Sequence, residues 1–264
     1  MVQQGQKTAL ITGSAKGLGK MTAIMLAKQG CNIVVNYVKS EAEALALVED
    51  IKQLGVASMA VQGDISRRED IVRIVDEVHS ELGDIDILIN NAGPFVRERK
   101  TFADYDFDQI EYITRGNMLG VMELDSLVIP MMRKKKWGRI IHFGFGKASE
   151  ARGWMHRAAY AAAKVGLVSF TKTLAEEEAS SGITVNMICP GDIRGEHKER
   201  TINEARTEVD LETPIGRPGT GEDVARVIAF LCQTDSDFIT GNIMDISGGL
   251  DPIQTLPSLK QRKE

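Results

Sequence analysis

Short apolar runs alternate with longer amphipathic stretches along almost the whole chain. The short runs are rich in β-branched residues, as in buried parallel strands, whereas the longer stretches repeat apolar residues with the period of an α-helix. We predict strands at Lys7–Thr12, Asn32–Tyr37, Ala57–Gln62, Ile85–Ile89, Arg139–Phe143, Thr184–Ile188 and Ile243–Ile246. We predict helices at Lys20–Gln29, Glu41–Leu54, Ile71–Leu82, Phe107–Val128, Ala158–Ala179 and Glu222–Gln233.

The regular alternation of strand and helix predicts a single α/β domain, with a parallel sheet of about seven strands between two layers of helices. We assign residues 1–250 to this domain. Residues 251–264 contain two prolines and end in a charged run, so we expect a loosely held tail. The segment Ile193–Thr213 is too charged to pack as a core element, and a loop of this length is typical of a lid over a binding site.

The composition argues against several classes of protein. With 43% hydrophobic and 26% charged residues the chain is typical of a globular protein, and its net charge of -5 argues against nucleic acid as a partner. The cysteines and histidines show no metal-ligand spacing, so we expect no metal site. We find no signal peptide and no apolar stretch near the ~20 residues that span a bilayer, and we therefore expect a cytoplasmic protein with no membrane partner.

A glycine-rich segment, Gly13–Gly19, stands between the first predicted strand and the first predicted helix. This is the setting of a dinucleotide-binding loop, because glycine permits close approach of the backbone and a helix N-terminus attracts a pyrophosphate. The residues predicted to contact a coenzyme here are Gly13, Ser14, Lys16, Gly17, Leu18 and Gly19. The alternative is a tight turn without a ligand.

The end of the second predicted strand indicates which coenzyme is bound. In a dinucleotide fold an acidic residue at this point accepts from the ribose 2′-hydroxyl, but here Tyr37 is followed by Val38 and Lys39, with no carboxylate before Glu41. Lys16 and Lys39 can pair with a 2′-phosphate. The sequence therefore favours NADP(H) over NAD(H), unless both lysines are merely surface residues.

Polar or turn-forming residues follow three other predicted strands, at the carboxyl ends where doubly wound sheets bind ligands. The residues so placed are Asp64, Ile65, Asn91, Ala92, Gly93, Pro190 and Gly191. Asp64 either caps the helix that begins near Arg67 or accepts a hydrogen bond from an adenine amino group. For the asparagines the alternative is a turn in which their side chains satisfy backbone groups.

An alanine-rich predicted helix carries Tyr160 and Lys164 four residues apart, so that both side chains project from one face. A nearby ammonium stabilises a phenolate and lowers the pKa of the phenol from its ordinary value of about 10, which suits the phenol to acid–base catalysis. The alternative is an ordinary helix with a buried tyrosine and an exposed lysine. Asn117 lies among apolar residues of another predicted helix, where a buried amide needs partners.

These landmarks occur along the chain in the order TGSAKGLG, Asp64, NNAG, Asn117, YAAAK and ICPGDI. In this order and spacing the chain resembles the short-chain dehydrogenase/reductase family, and its closing region resembles the 3-oxoacyl-[acyl-carrier-protein] reductase branch. The resemblance implies a Rossmann-type doubly wound fold that binds NAD(P)(H). It also implies a homodimer or homotetramer.

The resemblance further implies roles for individual residues. Tyr160 is expected to protonate the carbonyl oxygen as hydride arrives at carbon. Lys164 is expected to bind the nicotinamide ribose and to lower the pKa of Tyr160, and Asn117 to hold a water that relays protons. Ile193 is expected near the carboxamide. The residues expected to line the coenzyme are Gly13, Gly17, Gly19, Asp64 and Asn91.

The chain departs from the family at the catalytic serine, which normally precedes the tyrosine by about thirteen residues. Counting forward from Gly138 puts Phe145 at this position, and counting back from Tyr160 puts Lys147 there. The hydroxyl that the segment Phe145–Ala159 does contain belongs to Ser149, which is out of register. Loss of such an oxyanion-stabilising donor costs about 10²–10³ in rate.

The interpretation that results is an NADPH-dependent oxidoreductase that reduces a 3-oxoacyl thioester or a related ketone. One alternative is a sugar or small-alcohol dehydrogenase of the same family. Another is a non-catalytic NADP(H)-binding regulator or scaffold. The presence of Phe145 at the expected serine position favours this alternative, whereas the presence of Tyr160, Lys164 and Asn117 opposes it. The acidic run Glu176–Glu178 stands where carrier-protein reductases often carry basic residues, so the substrate, its carrier and the direction of reaction stay open.

Overall fold

The computed structural model describes residues 6–96 and 98–253, which build one sheet between two layers of helices. The strands are β1 (Thr8–Ile11), β2 (Asn32–Tyr37), β3 (Ser58–Gln62), β4 (Ile87–Asn90), β5 (Gly138–Phe143), β6 (Ile183–Pro190) and β7 (Ile243–Ile246). The helices are α1 (Gly17–Lys28), α2 (Glu41–Lys52), α3 (Arg68–Leu82), α4 (Phe107–Thr114), α5 (Gly120–Lys135), α6 (Ala158–Glu178), α7 (Ile202–Ala205) and α8 (Gly221–Leu231). The predicted Rossmann-type α/β fold is confirmed. The boundary at residue 250 stays a prediction, and most of the predicted tail, residues 254–264, lies outside the described residues.

All seven strands are parallel, in the order β3-β2-β1-β4-β5-β6-β7. The central strand β1 pairs with β2 on one side, where Ala9 lies opposite Ile33, and with β4 on the other, where Ala9 lies opposite Ile87. The first half of the sheet thus runs from β1 through β2 to β3. The chain then returns to the other side of β1, where β4 begins the second half. The crevice at the carboxyl ends of β1 and β4 is the switch point at which such sheets bind ligands.

The core lies on both faces of the sheet, as the continuous apolar strands predict. Ile11 of β1 packs with α1, α2 and α8, whereas its neighbour Leu10 packs on the opposite face with α3, α5 and α6. Both side chains are fully buried. Because each buried leucine or isoleucine contributes about 1.5–3 kcal/mol, this double layer is the principal support of the strand ends that carry the site.

The prediction of one continuous helix, Phe107–Val128, is wrong. α4 ends at Thr114, and a π-helical turn, Arg115–Leu119, separates it from α5, which continues to Lys135. A π-helical turn changes the direction in which side chains point, and such turns are frequent at functional sites. Asn117 lies inside this turn, so its side chain is not placed as a regular helix would place it.

The predicted irregular loop Ile193–Thr213 is partly helical. It contains a 3₁₀ turn, Gly195–Glu199, followed by the short helix α7. Thr201 and Glu204 form a capping box at the start of α7, each side chain accepting from the other residue's backbone N–H. Capping of this kind stabilises a short helix locally, without the apolar periodicity by which a helix is predicted from sequence.

Candidate active site

A cavity of about 1350 Å³ opens at the carboxyl ends of the central strands. Its walls come from the loops after β4, β5 and β6 and from one face of α6. The predicted site residues that line it are Leu18, Asn91, Gly93, Asn117, Phe145, Tyr160, Lys164, Pro190, Gly191 and Ile193. The fold therefore brings together most of the catalytic residues predicted from sequence and the nicotinamide end of the predicted coenzyme site.

The glycine-rich loop is shaped so closely that side chains would not fit. Gly13 has a φ of +62°, and a Cβ on Gly19 would lie 2.8 Å from the carbonyl oxygen of Gly13. The Asn91 side chain fixes the loop by donating to the carbonyl oxygens of Thr12, at 2.8 Å, and Gly13, at 3.1 Å. This cradle at a helix N-terminus fits a dinucleotide.

Several of the other predicted coenzyme residues are buried or make hydrogen bonds inside the protein. Ser14 is fully buried and donates to the carbonyl oxygen of Ile11 at 2.7 Å, so its hydroxyl supports the loop. The Ala92 N–H donates to Thr12 Oγ1, and Tyr37 and Ile65 are buried.

The two lysines expected at the 2′-phosphate lie at the surface of the crevice. Lys16 pairs with Glu43 of α2, and both side chains are about half exposed. Lys39 is exposed just beyond the end of β2. An exposed pair of this kind is weak, so Lys16 is free to exchange its partner for a phosphate at small cost.

Asp64 does not cap α3, which corrects one of its two predicted roles. Its carboxylate accepts from the N–H of Ser66 at 2.8 Å, and its own N–H donates to Asp70 at 2.9 Å. Arg67 is the residue that precedes α3, and it makes no side-chain cap. Asp64 is partly exposed beside β3, where the adenine role remains open to it.

Asn117 is fully buried and points its amide towards the loop after β4. Its Nδ2 donates to the carbonyl oxygens of Pro94, at 2.8 Å, and Ile113, at 2.9 Å. Its Oδ1 has no hydrogen-bond partner within the described ranges. A Cβ on Gly93 would lie only 2.3 Å from this oxygen, so Gly93 is required for the close approach.

Tyr160 and Lys164 share one face of α6, as predicted, with Lys164 Nζ 6.0 Å from the centre of the tyrosine ring. The predicted lowering of the Tyr160 pKa is wrong for the protein alone. Burial raises the pKa of Tyr160, and the nearby Cys189 adds to this effect. Burial also lowers the pKa of Lys164 to about 8, so the ammonium is itself poorly solvated.

Three aromatic side chains enclose Tyr160. Phe95 meets its ring edge-on with 5.0 Å between centroids, and Phe145 and Trp154 lie at 6.1 Å. Phe145 and Trp154 also contact each other at 4.9 Å. This enclosure is the physical cause of the raised phenol pKa, because it removes water from the group.

Phe145, where the forward count places the family serine, is buried in the cavity wall. Lys147, the other candidate, follows it in a turn. Ser149 is exposed in the 3₁₀ turn Ala148–Glu150 and does not line the cavity. The structure therefore places no serine hydroxyl of this segment beside Tyr160.

A second polar cluster, absent from the sequence predictions, lies fully buried beneath the site. Asp125 of α5 accepts from Asn90 of β4 at 2.8 Å and contacts His142 Nε2 of β5 at 2.8 Å. His142 Nδ1 lies 2.8 Å from Thr171 of α6, whose hydroxyl donates to Leu167. The cluster ties two strands to the helices α5 and α6.

The residues that sequence reasoning missed share one property: they reach the site from separate loops. Phe95, Trp154 and Glu199 come from three connections, and no local pattern links them. The charge of the 193–213 segment is the one signal that points to Glu199. Across residues 6–96 and 98–253, no group of three or more His, Cys, Asp or Glu could hold a metal ion, and no helix has the length and apolarity to cross a membrane.

The sheet is doubly wound and parallel, it has a glycine cradle at its switch point, and a tyrosine–lysine pair faces that cradle. These features define a dinucleotide-dependent oxidoreductase of the short-chain type. Residues 13–251 match the family model described as Enoyl-(Acyl carrier protein) reductase, and the chain belongs to this family of short-chain dehydrogenases/reductases. The resemblance seen in the sequence is confirmed. So is the prediction of an enzyme that acts on CH–OH and C=O groups.

The relatives cover nearly the whole chain. It is 50% identical over 247 residues to “Putative oxidoreductase YtkK” of Bacillus subtilis (strain 168), covering 93% of this chain and 96% of that protein. It is 33% identical over 244 residues to 3-oxoacyl-[acyl-carrier-protein] reductase FabG of Staphylococcus epidermidis, covering 92% and 98%. A solved structure of a “putative 3-oxoacyl-reductase” from Bacillus thuringiensis has a TM-score of 0.87 and 48% identity, covering 94% and 100%.

Proposed function

We propose that this enzyme uses NADPH to reduce a ketone, and that a 3-oxoacyl thioester is the substrate class that fits best. The observation that carries the proposal is the environment of Tyr160. Burial raises its pKa, so the phenol holds its proton at neutral pH inside the cavity that lies over the switch point. A protonated phenol at this position is a general acid for a carbonyl oxygen.

The residues then have distinct roles in the reduction. The coenzyme supplies the hydride. Tyr160 donates its proton to the carbonyl oxygen, and Lys164, mostly protonated at neutral pH because its pKa is about 8, binds the ribose and stabilises the phenolate that forms. Asn117 Oδ1, which has no partner in the described part of the chain, accepts from a water that returns a proton to the site.

The preference for NADPH rests on charge at the adenosine end. Beyond Tyr37 the exposed side chains are Val38 and Lys39, and Lys16 of the glycine-rich loop reaches α2, where it pairs with Glu43. Glu41, the nearest carboxylate after β2, faces the Tyr37 hydroxyl at 3.5 Å. A 2′-phosphate therefore meets two cations that can pair with it.

The proposal of a 3-oxoacyl substrate rests on the apolar walls and on the relatives. Phe95, Trp154, Met155 and Leu211 line the cavity, and Met155 and Leu211 are more than three-quarters exposed at its mouth. Apolar side chains exposed to this degree around a pocket are typical of binding surfaces. FabG is named a 3-oxoacyl-[acyl-carrier-protein] reductase, and the same substrate class is proposed for this chain.

The test is NADPH oxidation with a short 3-oxoacyl thioester, compared with NADH and with Tyr160→Phe. We expect turnover with NADPH, a weaker response to NADH, and a loss of about 10²–10⁴ in rate in the mutant. Lys39→Glu should weaken NADPH binding and leave NADH binding nearly unchanged. A panel of sugars and small alcohols, run in the oxidation direction, decides against the proposal if one of them is turned over while the thioester is not.

We further propose that the enzyme is a homodimer or homotetramer. The exposed faces of α4 and α8 carry large apolar side chains: Phe107 is 82% exposed and Phe230 is 49% exposed. Burying such surface is favourable by about 25 cal/mol per Å². Light scattering coupled to size-exclusion chromatography measures the mass directly, and a monomer at micromolar concentration would rule out this assembly.

A further inference from the structure

The N-terminus of α1, where the sequence predicts a pyrophosphate, is contacted by a carboxylate of the chain itself. The backbone N–H of Gly17 donates to Glu199 Oε1 at 2.8 Å, and Lys20 Nζ donates to Oε2 at 2.8 Å. An anion is stabilised here by unpaired N–H groups and by the positive end of the helix dipole. Glu199 thus makes the contacts that a phosphate oxygen would make.

The segment that carries Glu199, residues 195–205, is docked on two neighbouring helices. At α8 the Ile202 N–H donates to Glu222 Oε2 at 2.6 Å, and the Glu222 N–H donates to the Arg200 carbonyl oxygen at 3.4 Å. The packing is close, since a Cβ on Gly221 would lie 2.0 Å from the Lys198 carbonyl oxygen. The segment is therefore held at α8 by the Glu222 side chain and by backbone contacts, and Glu199 supplies its polar contact with α1.

The charges around Glu199 keep it ionised. Burial opposes ionisation, but the hydrogen bonds from Lys20 and Gly17 outweigh it, so the pKa of Glu199 is lowered. Lys198, the preceding residue, lines the active-site cavity, which places the segment at the border of the coenzyme crevice. A carboxylate and a pyrophosphate repel each other and cannot share one N–H.

We propose that Glu199 is a coenzyme-gating residue, whose carboxylate takes the place of the pyrophosphate, closes residues 195–205 over the glycine-rich loop, and must leave when a dinucleotide binds. This inference rests on the proposed dinucleotide coenzyme. A conformation that excludes a ligand lowers its apparent affinity by the fraction of molecules in that conformation. Coenzyme arrival is therefore coupled to movement of a segment that also borders the substrate cavity.

Glu199→Gln isolates the charge, because glutamine keeps the shape and can still accept from Gly17. We expect the dissociation constants of both NADPH and NADH to fall about two- to tenfold, since both carry the pyrophosphate and a charge at a helix N-terminus contributes modestly. The matched control is Glu208→Gln. Glu208 pairs with His197 and Arg200, which belong to the same segment, and not with α1, so coenzyme affinity should not change.

The titrations follow protein-tryptophan fluorescence without substrate, so they do not depend on turnover. Hydrogen exchange of the coenzyme-free protein gives a second readout: Glu199→Gln should accelerate exchange in residues 195–200. Unchanged or weaker coenzyme binding in Glu199→Gln would overturn the proposal, because Glu199 would then be an ordinary surface pair or would hold the segment over bound coenzyme. If the wild type bound neither coenzyme, the proposed function would fail, and unchanged exchange would separately overturn the gate.

Discussion

Adding one methyl group at Gly93 should disable Asn117. The new Cβ would lie 2.3 Å from Asn117 Oδ1 and 3.2 Å from its Cγ, so the amide must move. It cannot move freely, because Nδ2 is held by the carbonyl oxygens of Pro94 and Ile113. Breaking either bond leaves a buried group unpaired at a cost of about 1–3 kcal/mol, and overpacking adds about 1–3 kcal/mol. We expect Gly93→Ala to lose about 2–6 kcal/mol of unfolding free energy from these two costs.

The same displacement should reduce the rate, because a shift of about 1 Å in a positioning group can cost about 10²-fold. Urea unfolding and single-turnover hydride transfer measure the two effects separately. Gly153 is the matched control: it borders the same cavity, a methyl group added to it would meet no atom within 4 Å, and its φ is not positive. Gly153→Ala should change neither quantity. A Gly93→Ala protein with wild-type stability and Asn117 unmoved in a crystal structure would refute the reasoning.

Three further predictions follow from the burial or exposure of single side chains. Asp125→Ala should lower the unfolding free energy by about 2–4 kcal/mol, because it leaves Asn90 and His142 unpaired, whereas Asp125→Asn can serve both and should cost under about 1 kcal/mol in urea unfolding. Folding lowers the pKa of Lys164 from 10.5 to about 8, so the unfolded chain binds more protons than the folded chain between these pH values. The unfolding free energy of the wild type should therefore rise with pH across this window, by about 3 kcal/mol at most, relative to that of Lys164→Met. Parallel curves of unfolding free energy against pH for the two proteins would contradict this prediction. Ser149→Ala should leave the reduction rate unchanged, since Ser149 is exposed outside the cavity, and a loss of about tenfold would count against this assignment.

The parts of the fold that the sequence predicts best are those with one physical solution. Asn32–Tyr37 forms a strand with the predicted bounds, because a short β-branched run between helices has no other way to be buried. The edge strand Ile243–Ile246, which is only partly buried, also has the predicted bounds. Helix starts are less readable. α1 begins at Gly17, three residues before the predicted Lys20, because glycine carries no helix signal and the helix start is stabilised from outside by Glu199.

The residues of the site also divide into those that can be predicted from sequence and those that cannot. Residues that act through the backbone or through one helix face, such as Gly13 and the pair Tyr160 and Lys164, are predictable from spacing. The π-helical turn at Asn117 is not, because the sequence pattern from Phe107 to Val128 also fits one continuous helix. The pKa of Tyr160 cannot be predicted from its sequence neighbour Lys164 alone, because burial by aromatic residues from distant loops reverses the direction of the shift.

The missing serine and the raised pKa of Tyr160 have one cause. Phe145 stands where the forward count places the serine, and with Trp154 and Phe95 it packs around the phenol. A phenol with a raised pKa remains more acidic than the alcohol whose alkoxide hydride transfer creates, so it still gives up its proton readily in reduction. The phenolate that this step leaves is the same group that would remove the proton of an alcohol in the reverse reaction, so burial acts on both directions through one residue. The aromatic enclosure thus removes one donor to the carbonyl while keeping the other protonated.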